Sequence, residues 1–280
     1  MEKIQSAIDK ARATRNANPA PPQANPALPG AEGAPAAALP VAAAWAALQS
    51  YKPDLKRLYK QRVMVSGGKD TISFDMMRTK VIQQMRANGW RRLAITSPTA
   101  ACGKSTITLN LAFSLARQTE LRTVVGELDL RCPTLASVLG ARSQTGFARV
   151  LDGGADFGNV ALRYGAGLAF ALNDGPVRNP AELLHGSTVQ KVLADIETRY
   201  APDIMLFDMP PMLVSDDVMA FMAHVDAVLL IAAAETTTIK EVDICERELA
   251  AQTNVMGVVL NKCNYMGPDY GYSYYGHKQG

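Results

Sequence analysis

Five apolar runs recur along the chain, LAITS (93–97), TVVGELD (123–129), DIMLFDM (203–209), AVLLIAA (227–233) and MGVVLN (256–261). Each is short and almost free of polar alternation, as a strand buried on both faces requires. Between them lie stretches with helical spacing at 104–118, 134–152, 187–199, 215–224 and 238–251. Strand and helix in alternation predict a parallel sheet with cover on both sides. The expected class is α/β, doubly wound, with a mostly parallel sheet and helices on both faces. No internal repeat interrupts this order.

The flanks follow other rules. Ile4, Ala7, Ile8 and Ala11 share one helical face, which predicts a short amphipathic helix over 1–15. A helix so short is marginal alone. Residues 16–43 are dominated by proline and alanine and are expected to be a disordered linker. Trp45, Leu48, Tyr51, Leu55 and Leu58 suggest a helical lead-in over 44–69, ahead of a main domain over 70–264. The last segment, 265–280, holds five of the nine tyrosines, Tyr265, Tyr270, Tyr272, Tyr274 and Tyr275. They alternate with glycine, serine and aspartate and follow no period that would bury one face, so a flexible tail is expected.

Composition narrows the setting. Of 280 residues, 48% are hydrophobic and 20% charged, a soluble globular balance. The net charge of +3 gives no ground for nucleic-acid binding. A basic cluster at Lys52, Lys56, Arg57, Lys60, Arg62 and Lys69 reads more simply as a solvated face than as a surface for anionic lipid. The four cysteines lack metal-ligand or CxxC spacing, and the three histidines are scattered. No run has the length of a bilayer span, and the start has no apolar signal core. These features together predict a soluble cytoplasmic protein.

The chemistry lies at the carboxyl ends of the apolar runs. After LAITS comes SPTAACGKST, and a helical segment follows at once. Strand, loop and then GK[ST] opening a helix is the setting of a phosphate-binding P-loop, in which backbone N–H groups and the helix end hold an anion. The candidate cradle is Thr99, Ala100, Ala101, Cys102, Gly103, Lys104, Ser105 and Thr106. Lys104 would reach the β- and γ-phosphates of ATP, and Ser105 would ligate Mg²⁺. The loop departs from the usual form: Pro98 stands at the first glycine of GxxxxGK, and an alanine at 101 would be strained at positive φ. Glu127, Asp129 and Arg131 alternate in ELDLR, so both carboxylates are expected to face the phosphates together, and Arg131 is expected to help Lys104 and Mg²⁺ neutralise them. Asp208 closes the next apolar run as a Walker B carboxylate does. Asp129 and Asp208, with Ser105, form the candidate metal set.

On TSPTAACGKSTITLNLA, ELDLRCP, DIMLFDMPP, ETTTIKEVDICERELA, GVVLNK and the tyrosine tail, the chain resembles a bacterial tyrosine kinase (BY-kinase) of capsule and exopolysaccharide assembly, in its free-standing cytoplasmic form. The resemblance covers about residues 65–280. It implies ATP and Mg²⁺ as cofactors, Lys104 and Ser105 on the phosphates and metal, and Asp129 as base or metal ligand. It also implies Asp208 as a support for the metal and Asn261 near adenine. The tail tyrosines would be phosphorylated by a neighbouring subunit, and a membrane polysaccharide co-polymerase would stimulate the kinase and recruit it to the membrane's inner face. A tyrosine phosphatase would reverse the reaction. Four departures bear on this picture. Ala100 and Ala101 replace a Pro-Gly pair, and Glu127 replaces an aspartate. Ile72 and Asp75 replace two members of the helical ExxRxxR motif that builds the family's octameric ring, of which Arg78 alone is kept. Association between copies is therefore open, while the ring is doubtful.

Three other readings compete. A positioning ATPase would carry a second lysine at the place of Thr99, and would give the tyrosine tail no role. A weakly active regulator that binds ATP and the co-polymerase fits the altered loop and Glu127. A kinase of small metabolites lacks any segment that reads as a lid; residues 140–186 show only weak turns and short helices.

Overall fold

The computed structural model describes residues 40–142 and 145–263. The expected N-terminal helix, most of the linker and the tyrosine tail lie outside the described residues. The chain enters through α1 (Val41–Ala47), the two-residue β1 (Gln49–Ser50) and α2 (Leu55–Lys60), and then forms α3 (Ile72–Asn88). The main alternation runs β2 (Arg92–Ser97), α4 (Lys104–Ala116), β3 (Thr123–Glu127), α5 (Leu135–Leu139), α6 (Phe147–Leu151), α7 (Phe157–Val160), β4 (Leu162–Tyr164) and β5 (Leu168–Ala171). It continues through α8 (Pro180–His185), α9 (Ser187–Tyr200), β6 (Ile204–Pro211), α10 (Asp217–Phe221), β7 (Ala227–Ala233), α11 (Ile239–Ala250) and β8 (Asn254–Asn261).

The eight described strands make one sheet in the order β1-β4-β5-β3-β6-β2-β7-β8. Every pairing is parallel except β4 with β5. The five apolar runs are the five consecutive strands β3, β6, β2, β7 and β8. Along each, successive side chains enter opposite layers: Leu93 and Ile95 pack on one face of the sheet, Ala94 on the other. Met205 and Phe207 alternate with Ile204 and Leu206 in the same way. One layer is built from α2, α3, α4 and α5, the other from α1 and α6 to α11. The α/β doubly wound expectation holds.

Two expectations need correction. The helical stretch 134–152 is broken in two, because Gly140 closes α5 at φ 65, where a Cβ would press on the Arg57 side chain. Within 140–186 the chain supplies β4 and β5, short strands whose antiparallel pairing adds to the sheet edge. Their runs of three and four residues are too short for a period to register.

Both ends of the sheet differ. β1 is exposed and pairs with β4 through two residues, Gln49 and Ser50. At the other end β8 leaves Val258 and Leu260 exposed. The lead-in is bound to the body by Trp45, whose ring packs edge-on to Tyr200 and whose indole N–H donates to Tyr200 O at 2.6 Å. On α3, Asp75 is tied inward: it accepts from Ser114 Oγ at 2.6 Å, pairs with Arg78 at 3.3 Å, and meets the Arg117 guanidinium. The residue that replaces the ring motif's arginine thus fastens α3 to α4.

Because Trp45 is buried, Trp45→Ala removes a large apolar surface and a satisfied hydrogen bond together. We expect a loss of about 3–5 kcal/mol, read by urea denaturation; a loss below about 1 kcal/mol would mean that α1 does not hold to the body.

Candidate nucleotide site

The phosphate loop spans residues 98–103, between the buried end of β2 and the first residue of α4. Four contacts fix its path. Ser97 Oγ donates to Thr99 O at 2.7 Å, and the Asn261 amide donates to Cys102 O at 2.9 Å. The chain after β6 adds Met212 N–H to Ser97 O at 2.8 Å and Leu213 N–H to Pro98 O at 3.0 Å. Gly103 sits at φ 90, and a Cβ there would collide with Asn261. Ala101 takes the left-handed conformation at φ 61, which costs an L-residue about 1–2 kcal/mol. Ala100 and Ala101 are exposed, whereas the Cys102 thiol is buried against the Thr99 and Thr237 hydroxyls. Burial pushes that thiol's pKa up, but the hydroxyl contacts outweigh it and hold the value below the ordinary one. Ser105 and Thr106 lie half-buried in the first turn of α4, where helix N–H groups lack internal partners.

Three charges meet at the head of this helix. Lys104 Nζ donates to Asp129 Oδ2 at 2.8 Å, with both side chains largely buried. Asp129 Oδ1 accepts the Cys132 N–H at 3.2 Å. Asp208, fully buried, accepts the Thr108 hydroxyl on Oδ1 at 3.1 Å, and its Oδ2 is left without a hydrogen-bond partner. Burial lifts the Asp208 carboxyl to about 6, against the pull of Lys104 and the Ser105 and Thr108 hydroxyls; Asp129 adds to the rise. Burial works against the Lys104 cation too, but Asp208 and Asp129 outweigh it and hold its pKa above the ordinary value. A buried carboxylate oxygen with no donor, beside an aspartate and a GKS serine, is a donor set that suits a hard divalent cation.

Glu127 and Arg131 go elsewhere. β3 ends at Glu127, so the two-residue period stops there and the next residues turn, with Leu128 and Asp129 N–H both donating to Asp208 O at 2.8 and 3.0 Å. Glu127 is fully buried: Oε1 accepts the Thr134 and Leu135 N–H groups at 2.7 Å each, and Oε2 accepts the Asn173 N–H at 2.7 Å. Asn173 returns a bond to Glu127 O at 2.9 Å and accepts the Ala148 N–H at 2.9 Å. The expected pair of carboxylates facing the phosphates is therefore corrected to one, Asp129, with Glu127 tying together the starts of α5 and α6 and the end of β5. Arg131 binds the buried Asp217 through Nε at 2.6 Å and Nη2 at 2.9 Å, which fastens the turn after β3 to α10. Asn261, expected near adenine, gives its amide to the loop itself. Thr108, Asn173 and Asp217 were not foreseen; Thr108 was within reach of sequence reasoning, since it lies one helical turn beyond Lys104.

A central strand, a phosphate loop opening a helix, and carboxylates at the ends of the two neighbouring runs define a P-loop NTPase. The ParA family model, described as NUBPL iron-transfer P-loop NTPase, matches residues 90–280, and the chain belongs to this family. Among its relatives are bacterial tyrosine-protein kinases, as the motifs imply. It is 26% identical over 229 residues to the tyrosine-protein kinase Wzc of Salmonella typhi, covering 79% of this chain and 31% of that one. It is 27% identical over 209 residues to the tyrosine-protein kinase CpsD of Streptococcus agalactiae, covering 73% of this chain and 89% of that one. The solved kinase domain of VpsO superposes with a TM-score of 0.60 at 28% identity, covering 69% of this chain and 96% of that domain. The chain spans 23% to 31% of the length of four curated relatives.

Two outcomes follow from these charges and turns. The Glu127 carboxyl is raised from 4.5 to about 7, first by burial and then by Asp208, against its three N–H donors. A folded pKa above the unfolded one means that the native state holds the extra proton, so stability is greatest at low pH and falls as pH rises from 4.5 towards 7. The fall attributable to Glu127 is about 3 kcal/mol, measurable by denaturant titration at pH 5 and pH 8. Glu127→Gln should flatten that slope. Separately, Ala101→Gly should raise stability by about 1 kcal/mol; an unchanged or lower midpoint would show that the left-handed alanine carries no strain.

Proposed function

We propose that this chain is an ATP-dependent protein-tyrosine kinase whose acceptors are the tyrosines at 265–280 of a neighbouring copy. The observation that carries the reading is the cluster of Lys104, Asp129 and the half-satisfied Asp208 at the head of the P-loop helix, in a chain that holds five tyrosines over 265–280. The names of its relatives support the same reaction.

In this scheme the triphosphate enters between the loop and α4, and Lys104 leaves Asp129 for the β- and γ-phosphates. Asp129 Oδ2, so released, accepts the phenol proton as the tyrosine oxygen attacks the γ-phosphorus. The bond to the bridging oxygen breaks and ADP departs. Mg²⁺, held by Ser105, Asp129 and Asp208, would neutralise charge on the phosphates. Thr108 holds Asp208 in place for this. Arg131 positions the turn that carries Asp129, through Asp217, and Glu127 positions the same turn from beneath. The tail reaches a neighbour's site at high effective concentration once copies associate. Multiple phosphates, each carrying close to two negative charges, then repel one another and any acidic surface. That repulsion would release a polysaccharide co-polymerase which recruits the kinase to the membrane's inner face, and so regulate polymer assembly and export; a tyrosine phosphatase would reset it.

A second reading, an ATP-binding regulator with little transfer activity, is favoured by the strained Ala101 and by the engagement of Glu127 in backbone hydrogen bonds.

Incubation with ATP and Mg²⁺, with and without the co-polymerase's cytoplasmic segment, should place phosphate on the tail by mass spectrometry. Lys104→Met and Asp129→Asn should each lower it at least about 100-fold. Nucleotide binding with no phosphotyrosine above the Lys104→Met background would favour the regulator.

A further inference from the structure

A cavity lies at the edge of the sheet opposite the P-loop, under the starts of β2, β3 and β6. Its volume is about 490 Å³, within the range of sites for small ligands. Arg86, Arg91 and Arg122 line it, together with Trp90 and one carboxylate, Asp203. Asp203 is occupied: its Oδ2 accepts the Arg122 backbone N–H at 2.8 Å. None of the three guanidinium groups has an ion pair or hydrogen bond among the described residues, and the Trp90 indole N–H has no acceptor there. Several other arginines of the fold are committed, Arg92 to Glu197, Arg131 to Asp217 and Arg199 to Asp156. Three uncommitted guanidinium groups around one cavity form an electropositive mouth suited to a phosphate.

The rest of the lining selects what the phosphate is attached to. Ile82, Met85, Leu121, Pro202 and Ile204 are apolar, and Trp90 offers a half-buried aromatic ring. A nucleobase buried there would leave its ring nitrogens and exocyclic groups without partners, at a cost in binding. A phenyl ring has no such groups and stacks on indole. We propose that this cavity is a phosphotyrosine-binding site, occupied by a phosphorylated tyrosine of the chain's own C-terminal segment. The proposal rests on the kinase reading for the origin of the phosphate, but not for the binding. Reach is sufficient. Twelve residues lead from Cys263 to Tyr275, the last of the tyrosines, about 40 Å when extended, while the six-residue β2 separating the two edges is about 20 Å long. The site would then retain the product of the reaction at a place remote from the P-loop.

The test uses the full chain and a ligand supplied already phosphorylated, so it stands apart from the kinase assay. Of the two tryptophans, Trp45 is buried and Trp90 lines the cavity, so tryptophan emission reports on the site. O-phospho-L-tyrosine should give saturable quenching and bind at least tenfold more tightly than tyrosine, inorganic phosphate or AMP. Arg86→Gln with Arg122→Gln should weaken it at least tenfold, while a fluorescent ATP analogue binds the P-loop unchanged. Should the double variant unfold, the ligand ranking on the unaltered protein decides. Equal binding of inorganic phosphate, tighter binding of AMP, or full retention by the folded double variant would each overturn the assignment. Phosphotyrosine binding in a protein that makes none would uphold this site and remove the kinase reading alone.

Discussion

The ion pair between Lys104 and Asp129 is the constraint on which the site depends. It sits beside a third charge, Asp208, in a place where water has been removed and each charge needs a partner. Lys104 offsets two carboxylates at once, which is why its proton is held tightly, while burial keeps the Asp208 carboxyl at a raised pKa against the pull of Lys104. An incoming anion must compete with Asp129 for the same ammonium group. Binding is thus an exchange of partners, and only the difference between the two pairings appears as affinity.

Around this pair the protein spends polar contacts on backbone geometry. Glu127 takes three N–H groups that would otherwise be orphaned where α5 begins and β5 ends. Arg131 and Asp217 hold the other side of the same turn. Asp129 is delivered to Lys104 by a scaffold of one ion pair and a set of backbone hydrogen bonds to a buried carboxyl, any of which is expensive to leave half-made. The strain at Ala101 is borne in the same region, where contacts from β2, β6 and β8 fix the loop.

How much of this was legible in the sequence follows from range. The five consecutive strands from β3 to β8 were visible because each is largely apolar, and α4, α9 and α11 because their periods run over ten residues or more. The P-loop was legible because strand, loop and GKS are contiguous. Asp129 and Asp208 were found by their place at the ends of apolar runs. What was missed depends on contacts distant in sequence. Glu127 and Asp129 read as a pair only while the strand continues, and no local pattern announces that it stops at Glu127. Asn173 and Asp217 act on residues 46 and 86 positions away. β4 and β5 are too short to show a period.

The two ends of the sheet give it a direction. At one end the last strand is two residues long, too brief a template for another chain to pair with. At the other, β8 runs for eight residues and carries exposed Val258 and Leu260. Among the described residues no strand pairs with its outer edge, and an edge of that length is a template for a further strand, whereas the stub at β1 is not. The β8 side is thus the side of the described sheet from which pairing can extend. Charge is therefore tolerated at the exposed Val258 and Leu260 and opposes such pairing, whereas charge in the buried strands would unfold the protein.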